Sequence, residues 1–463
     1  MPENRMYRTL AAAIGILMSM LHGPTQADAQ PSADLLENAA HGMAVRGELR
    51  TLAGLVRHLP GQEVLLRPGL RMWMIRLDLY ARDFDACGAG IQRLRADLPA
   101  DDAVNHFALT LIEAMLAVQR DDAEAAMALL PQLLDAPAGT DAMTLGGRDN
   151  ILSWLYMQRG DYERARRIQL DNPERLVDGA PLLGTASGTL QGRCLIGLSY
   201  AMQGQITQAE RIYRDVLRDA ELGGGACTEP GYLATALLSE VLYEQNDPQA
   251  MVRLVQERVE VLERVSIPDS VLRLFYMLAA SHRAMGRKLE SFAWLERLED
   301  YATELGLDRL LAHSLGAQLQ ARLAHGEMEA AETLLQRLET IRKRQPNAQR
   351  RPFSEIGIVA ARAHVLWLMA MDDPDAAAAR IEPVIARMEA RGNQRMLAHL
   401  LLMRAVIEAR RGRSDAARES IVAALRQGHR LGLVRSLLDA NPAGVEMIRQ
   451  VGAGPPLGPV LAF

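Results

Sequence analysis

The stretch QRGDYERARRI, residues 158–168, contains the pattern that decides the fold. Gly160 can adopt the left-handed conformation that ends many helices, and Asp161 directly after it is a preferred N-cap of a new helix. Ala165 lies one turn further on and is small enough to let two helices approach closely. The stretch therefore predicts the junction of an antiparallel helical hairpin.

The same pattern returns along the chain at a nearly constant spacing. Clear copies are MQGQITQAERI at 202–212, AHGEMEAAETLL at 324–335 and RRGRSDAARES at 410–420. With five weaker copies, the small residue falls at Cys87, Ala125, Ala165, Ala209, Ala250, Ser291, Ala331, Ala377 and Ala417. One such hairpin buries too little apolar surface to fold alone, so neighbours must stack. We expect an all-α, TPR-like α-solenoid, a right-handed superhelix of about nine hairpins with a period near 41 residues.

Composition agrees with a helical fold and excludes several classes of function. Apolar residues make up 49% and charged residues 24% of the chain, which is the balance of a well-packed globular protein. The net charge is −5 and no basic stripe occurs, so the sequence does not suit direct nucleic-acid binding. Lys288 and Lys343 both follow arginine, which excludes the Gly-Lys-Ser/Thr of a phosphate-binding P-loop.

The N-terminal segment, residues 1–29, has the features of an export signal. Arg5 and Arg8 precede an apolar run that ends at Leu21. Ala27-Asp28-Ala29 then supplies a small-x-small cleavage pattern. The apolar run is too short for a permanent transmembrane helix. We therefore expect a periplasmic or secreted protein with no transmembrane span after signal removal. A cytoplasmic protein that begins with a frayed helix is the alternative.

Hairpins of this pattern resemble tetratricopeptide repeats, but the period exceeds that family's thirty-four residues. Two stretches resemble the ends of the helical sensor domain of MalT-type regulators, the large ATP-binding members of the LuxR class. The opening stretch matches at Arg46, Gly47, Glu48, Leu59, Pro60, Arg67, Pro68 and Leu70. The closing stretch matches at Gly432, Val434, Arg435, Leu437, Leu438 and Asp439.

This resemblance covers residues 35–452 and implies a MalT-like TPR region alone. The family's ATPase module requires a P-loop, which the sequence lacks, and its helix-turn-helix module requires more residues than 453–463 provide. We expect these last residues to form a flexible tail. The ATP binding and DNA binding of the family are therefore not implied for this chain.

The sequence contains no recognisable catalytic or metal-binding motif. HExxH, GxSxG and CxxC are absent, and the ten histidines form no i, i+4 pair that could bind a metal from one helix face. Cys87, Cys194 and Cys227 are widely spaced, which favours small buried residues for the first two over a disulfide framework. We expect a protein that is not an enzyme and has no cofactor. An enzyme built on an activated Cys194 is the weakest alternative.

The concave side of such a solenoid is its expected binding surface. In tetratricopeptide folds this side is lined by residues about thirteen, ten, six and three positions before the junction glycine. By this analogy, the candidate ligand-binding residues are Asn150, Trp154, Gln191, Tyr232, Arg273, Tyr276, His313 and Arg362. The same spacing adds Cys194, Thr235, Ser239, Arg283 and Gln320. Because this surface is polar with interspersed aromatics, we expect a protein partner or a small polar ligand, a sugar or a peptide; an ordinary solvated helix face is the alternative.

Two functional hypotheses follow from these observations. The first is a non-catalytic repeat protein that senses a small ligand or binds a protein partner in its groove. The second is a cytoplasmic truncated or split LuxR-class regulator fragment that acts through a partner. The end hairpins leave terminal capping and self-association both open.

Overall fold

The computed structural model describes residues 26–46, 48–172, 175–177, 179–184, 187–224, 228–344 and 355–452. This part of the chain forms 25 helices and one antiparallel pair of two-residue strands, β1 (Leu176–Val177) and β2 (Ala180–Pro181). The all-α fold that the sequence predicts is confirmed; the small β-pair was not predicted.

Three helices precede the first hairpin: α1 (Gln26–Val45), α2 (Leu49–His58) and α3 (Gly61–Leu65). The first four hairpins comprise α4 (Pro68–Tyr80), α5 (Phe84–Asp97), α6 (Ala103–Gln119), α7 (Ala123–Ala128), α8 (Leu130–Leu134), α9 (Ala142–Arg159), α10 (Tyr162–Leu170), α11 (Thr189–Met202) and α12 (Ile206–Gly223). The fifth to seventh comprise α13 (Thr228–Glu244), α14 (Pro248–Val255), α15 (Val259–Val265), α16 (Pro268–Ala284), α17 (Lys288–Glu304), α18 (Asp308–Ala324) and α19 (Met328–Arg344). The eighth and ninth comprise α20 (Glu355–Ala370), α21 (Pro374–Arg391), α22 (Gln394–Arg410) and α23 (Ser414–Leu431). Two helices follow, α24 (Arg435–Leu438) and α25 (Pro442–Gly452).

The chain divides into two compact units. Unit 1 comprises the described residues of Met1–Leu155, Arg167–Arg193 and Arg218–Gly231. Its core includes Leu36, Leu52 and Leu70 from the first helices and a second cluster around Ile91 and Leu109. Unit 2 comprises the described residues of Tyr156–Arg166, Cys194–Leu217 and Tyr232–Phe463. In unit 2 the apolar side chains of α18, α19 and α20 form one continuous cluster.

The hairpin junctions follow the predicted pattern, with one correction. The small residue is buried at Cys87, Ala165, Ala209, Ser291, Ala331, Ala377 and Ala417. Ala125 is exposed and Ala250 only partly buried, whereas the next residues, Ala126 and Met251, are buried. The prediction was one residue early in these two copies because the actual caps, Asp122 and Asp247, each lie four residues before the buried position.

Several sequence features lie outside the described residues. They are most of the expected export signal, Gly47 of the opening stretch, Cys227 and the tail at 453–463. Among the helices that are described, none combines the length and apolar character needed to cross a membrane.

Candidate functional site

The first helices of five successive hairpins in unit 2 bring charged side chains into one polar network. These helices are α13, α16, α18, α20 and α22. We call the set Glu240, Glu244, Asp269, Arg273, Arg309, His313, Glu355 and Arg395 the central network. Its members come from the helices that the sequence analysis assigned to the binding surface.

Arg273 connects the first two of these helices. Its Nη1 lies 2.5 Å from Glu240 Oε2 on α13, and its Nε lies 2.8 Å from Asp269 Oδ2 one turn earlier on its own helix. Arg309 continues the network, 3.1 Å from Asp269 Oδ1 and 3.2 Å from Glu355 Oε2. The bonds fix Arg273 between two carboxylates, so its guanidinium is committed to the fold.

Arg395 on α22 joins the network back to α13. It pairs with Glu240, and its Nε lies 2.9 Å from Glu244 Oε2. The sequence separation of these pairs is 155 and 151 residues, so the first and last of the five helices contact each other inside unit 2. Although burial raises the pKa of Glu240, Arg273 and Arg395 outweigh it and lower that pKa to about 2.

Residues 435–440, which we call the closing segment, lie against the same helices. Ser436 N and Oγ donate to the two carboxylate oxygens of Glu244, at 2.9 and 2.8 Å. Tyr243 OH donates to Asp439 Oδ2 at 2.6 Å, and Gln320 Nε2 donates to the Asp439 main-chain oxygen at 3.0 Å. The closing segment therefore occupies part of the polar surface.

His399 links the closing segment to Arg362. Its Nδ1 lies 3.0 Å from the Ser436 carbonyl oxygen and must donate, so Nε2 is the acceptor for Arg362 Nη2 at 3.0 Å. Both bonds require a neutral imidazole. Burial and, next, the Arg362 guanidinium lower the pKa of His399 to about 3.

The predicted site residues fall into both units. In unit 1, Asn150 and Trp154 are buried, and Asn150 accepts from Gln169 Nε2 at 3.0 Å. Gln191, in the same unit, has a buried Oε1 without a hydrogen-bond partner among the described residues. Asn150 and Trp154 therefore lie among packed helices rather than on an open surface, and Gln191 is partly buried.

Unit 2 brings together most of the remaining candidates. The rings of Tyr276 and His313 meet edge to face with centroids 6.2 Å apart, and His313 Nε2 lies 2.7 Å from Glu355. Tyr232 is partly buried. The structure thus places Arg273, His313 and Arg362 at one polar surface.

The additional positions divide in the same way. Cys194, Thr235 and Ser239 are buried inside unit 2. Arg283 lies 3.8 Å from Asp439, to which Gln320 also bonds. Cys194, Thr235 and Ser239 therefore serve packing, whereas Arg283, three residues before its junction, and Gln320, six residues before its junction, reach the polar surface.

Sequence reasoning missed Glu240, Glu244, Arg309, Glu355 and Arg395. Asp269 could have been found, because an acid four residues before Arg273 on one helix suggests an ion pair. Arg435 and Asp439 were noticed only as part of the closing stretch. The other partners are far apart in sequence and carry no local signal.

Two further observations on the described residues concern metal ions and small molecules. They contain no group of three or more His, Cys, Asp or Glu side chains placed to hold a metal ion. A cavity of about 20 Å³ in unit 1 is lined by Arg76, Tyr80, Thr144 and Ser187 among others. This volume holds about one water molecule, so it excludes a metabolite.

Known relatives share the repeat region. Serine/threonine-protein kinase PknK of Mycobacterium tuberculosis H37Rv and PknK of Mycobacterium bovis are both 26% identical over 436 residues, which is 91% of this chain. The chain spans only 38% of the length of these relatives.

The chain also matches a solved structure and a family model. The crystal structure of a Rap protein complexed with competence and sporulation factor superimposes with a TM-score of 0.57 at 10% identity. It covers 81% of this chain and 99% of the Rap chain, which shows a shared fold. The family model described as MalT-like TPR region matches residues 111–450, and the chain therefore belongs to this family.

Proposed function

We propose that the protein is a non-catalytic repeat protein whose polar surface in unit 2 binds an acidic segment of a protein partner. One observation carries this proposal. In the part of unit 2 that is described, Arg362 pairs with a neutral imidazole and not with a carboxylate, and its Nε is buried without a hydrogen bond. A partner carboxylate would supply the missing charge.

The count of charges around this surface agrees with an acidic partner. Five carboxylates face six guanidinium groups: Glu240, Glu244, Asp269, Glu355 and Asp439 against Arg273, Arg283, Arg309, Arg362, Arg395 and Arg435. The surface therefore carries an excess of one positive charge. The Rap protein with the same fold was solved in complex with a factor, which supports a binding role and favours a protein or peptide over a sugar.

A binding role suits the chemistry of the surface better than catalysis does. Glu240 and Asp269 are held in ion pairs that lower their pKa values, so they are poor proton acceptors at neutral pH. Kinase activity is a property of the named relatives, of which this chain matches only 38%. We therefore assign the repeat region to recognition.

Phage-displayed random dodecapeptides, panned against the purified full chain, test the proposal. We expect the recovered peptides to be enriched in Asp and Glu. Arg362→Ala should weaken their binding about tenfold, because a charge-assisted hydrogen bond is lost. Arg253→Ala removes an exposed arginine of the same unit and should leave the affinity unchanged. Failure to recover binders, or equal binding to both variants, would refute the proposal.

Arg273 is unsuitable for this test. Its guanidinium bonds to Glu240 and Asp269, so its removal would leave each of these carboxylates with a single cationic partner, Arg395 or Arg309, and lower the melting temperature. Arg362 suits the test because its partner, His399, is neutral, so removing Arg362 leaves no carboxylate unpaired.

A regulator fragment that acts through a cytoplasmic partner is the second candidate function. The much greater length of the PknK relatives favours it, since there the matching region is part of a larger protein. Mass spectrometry of the N-terminus separates the two. A mature start at Gln30 supports an exported binding protein, whereas an intact Met1 in the cytoplasm supports the regulator fragment.

A further inference from the structure

The closing segment contacts its surroundings in the way that a bound peptide contacts a receptor. Main-chain groups of Ser436 and Asp439 form three hydrogen bonds, with Glu244, His399 and Gln320. These partners lie on three different helices, α13, α22 and α18. Recognition through main-chain groups is independent of side-chain identity and therefore available to any peptide of matching shape.

Side chains add specificity to these main-chain bonds. The Asp439 carboxylate accepts from Tyr243 at 2.6 Å and lies 3.8 Å from Arg283. The Ser436 hydroxyl donates to Glu244 at 2.8 Å. Leu437 is buried, and its Cδ1 would lie 2.6 Å from a Cβ added to Gly428. The surface therefore fits the sequence Ser-Leu-x-Asp.

We infer that the closing segment occupies the partner's site, and that an external peptide of the Ser-Leu-x-Asp type competes with it for the same hydrogen-bonding groups. This inference rests on the proposed function and names both the partner's chemistry and its regulation. Without the segment, Asp439 no longer faces Arg283, whose charge is then available to a partner beside that of Arg362, which pairs only with the neutral His399.

Tethering explains why the site is occupied by default. The segment follows Gly432, which ends α23 in the left-handed conformation with φ of 69°. A tether of this length gives an effective concentration on the order of 1 mM. A free peptide with the same contacts must exceed that concentration to displace it, so weakening the segment should unmask the site.

The probe is a fluorescein-labelled decapeptide with the sequence of residues 432–441, GLVRSLLDAN, measured by fluorescence polarisation with the full chain. Asp439→Asn in the protein removes the carboxylate charge that accepts from Tyr243, faces Arg283 and pairs with Arg435 within the segment. We expect this variant to bind the probe at least tenfold more tightly than the wild type. Glu446→Gln, an equal charge change at an exposed position of α25, should bind like the wild type.

Two further measurements make the result specific. A probe with Asn in place of its Asp should bind the Asp439→Asn protein about tenfold more weakly. Adding Arg283→Ala to Asp439→Asn should also weaken binding of the original probe. Equal affinity of wild type and Asp439→Asn, or equal affinity of the two probes, would overturn the inference.

A second variant, Ser436→Ala, keeps the test valid if Asp439→Asn does not fold. Ser436→Ala keeps the main-chain bonds and removes the bonds of the hydroxyl to Glu244 and from Arg395, so it should still increase probe affinity by several-fold. If both variants lose cooperative melting, the segment is an indispensable part of the fold and the inference is wrong. If phage-selected acidic peptides bind wild type and Asp439→Asn with equal affinity, competition by the closing segment is refuted while the proposed function stands. If no peptide binds either protein, the proposed function is refuted as well.

Discussion

Four hairpin junctions place a residue other than glycine in the left-handed region. They are Arg82, Asp121, Asn246 and Asp372, with φ between 58° and 65°. Asp and Asn tolerate this conformation because their short side chains bond locally to the backbone, whereas longer side chains pay a steric cost. These four junctions are among the weaker copies of the repeat, which explains why glycine alone does not identify every hairpin.

Replacing Arg82 by glycine should therefore stabilise unit 1. We expect the free energy of unfolding to rise by about 1 kcal/mol, since glycine adopts positive φ without steric cost. Asn246→Gly is the control and should change stability by only a few tenths of a kcal/mol, because Asn tolerates positive φ and the bond that it loses, from Arg435 Nη1 at 3.3 Å, is exposed. Urea denaturation measures both, and an equal effect of the two changes would contradict the steric explanation.

His399 should make stability depend on pH below neutrality. Its pKa is about 3 in the folded protein against 6.5 for the ordinary side chain, so below pH 6.5 the unfolded chain takes up a proton that the folded protein does not. The contribution of neutral His399 to the free energy of unfolding is therefore fully present above pH 6.5. It is lost as the pH falls below 6.5, by at most about 1.4 kcal/mol per pH unit.

The variant His399→Gln isolates this effect. Its amide can donate to the Ser436 carbonyl and accept from Arg362, so stability at pH 7.5 should be nearly preserved. Urea denaturation at pH 7.5 and 5.0 should show a smaller difference than in the wild type. His325→Gln, at an exposed histidine, should keep the wild-type difference; a parallel loss in all three proteins would refute the assignment.

At the scale of helices, the hairpin junctions were easier to predict than the breaks within the second helices of two hairpins. Glycine, cap and small residue lie within five positions of one another, so the junction at Gly160 can be read locally. The second half of two hairpins is broken, into α7 with α8 and α14 with α15. Pro131 accounts for the first break, because proline favours the first turn of a new helix.

Glu240 holds three helices together, and its removal should weaken unit 2. We expect Glu240→Gln to lower the free energy of unfolding by about 2 kcal/mol, less than the usual ~3–5 kcal/mol for breaking a buried pair. The cost is reduced because Arg273 keeps Asp269 and Arg395 keeps Glu244 as partners.

Chemical denaturation of Glu240→Gln beside Glu210→Gln checks this value. Glu210 pairs with Arg214 within one helix, and such a pair contributes about 0.3–0.5 kcal/mol. The pKa of Glu240 is lowered to about 2, so its contribution is present above pH 4.5 and is lost as the pH falls towards 2. Equal losses in the two variants at pH 7 would contradict a central role for Glu240.

At the scale of the molecule, the fold was predictable and the site only in outline. Stacked hairpins follow from the repeat, and their first helices were expected to line the binding surface. The meeting of Arg395 with Glu240 depends on where α22 lies after three intervening hairpins. Small rotations accumulate over such a distance, so no local pattern could specify the pair. The role of the closing segment was hidden for the same reason.

The contact between α13 and α22 also changes how unit 2 should unfold. An array in which each repeat touches only its neighbours loses its terminal hairpin first. Here α22 of the last hairpin shares ion pairs with α13, four hairpins earlier. Detaching either α13 or α22 from the array therefore breaks the same ion pairs. Amide hydrogen exchange should accordingly show similar protection in α16, α18 and α22, and a steady decline towards α22 would contradict it. Closure over about 155 residues also demands a costly loop before any ion pair forms, so unit 2 should be slow to fold and equally slow to fray.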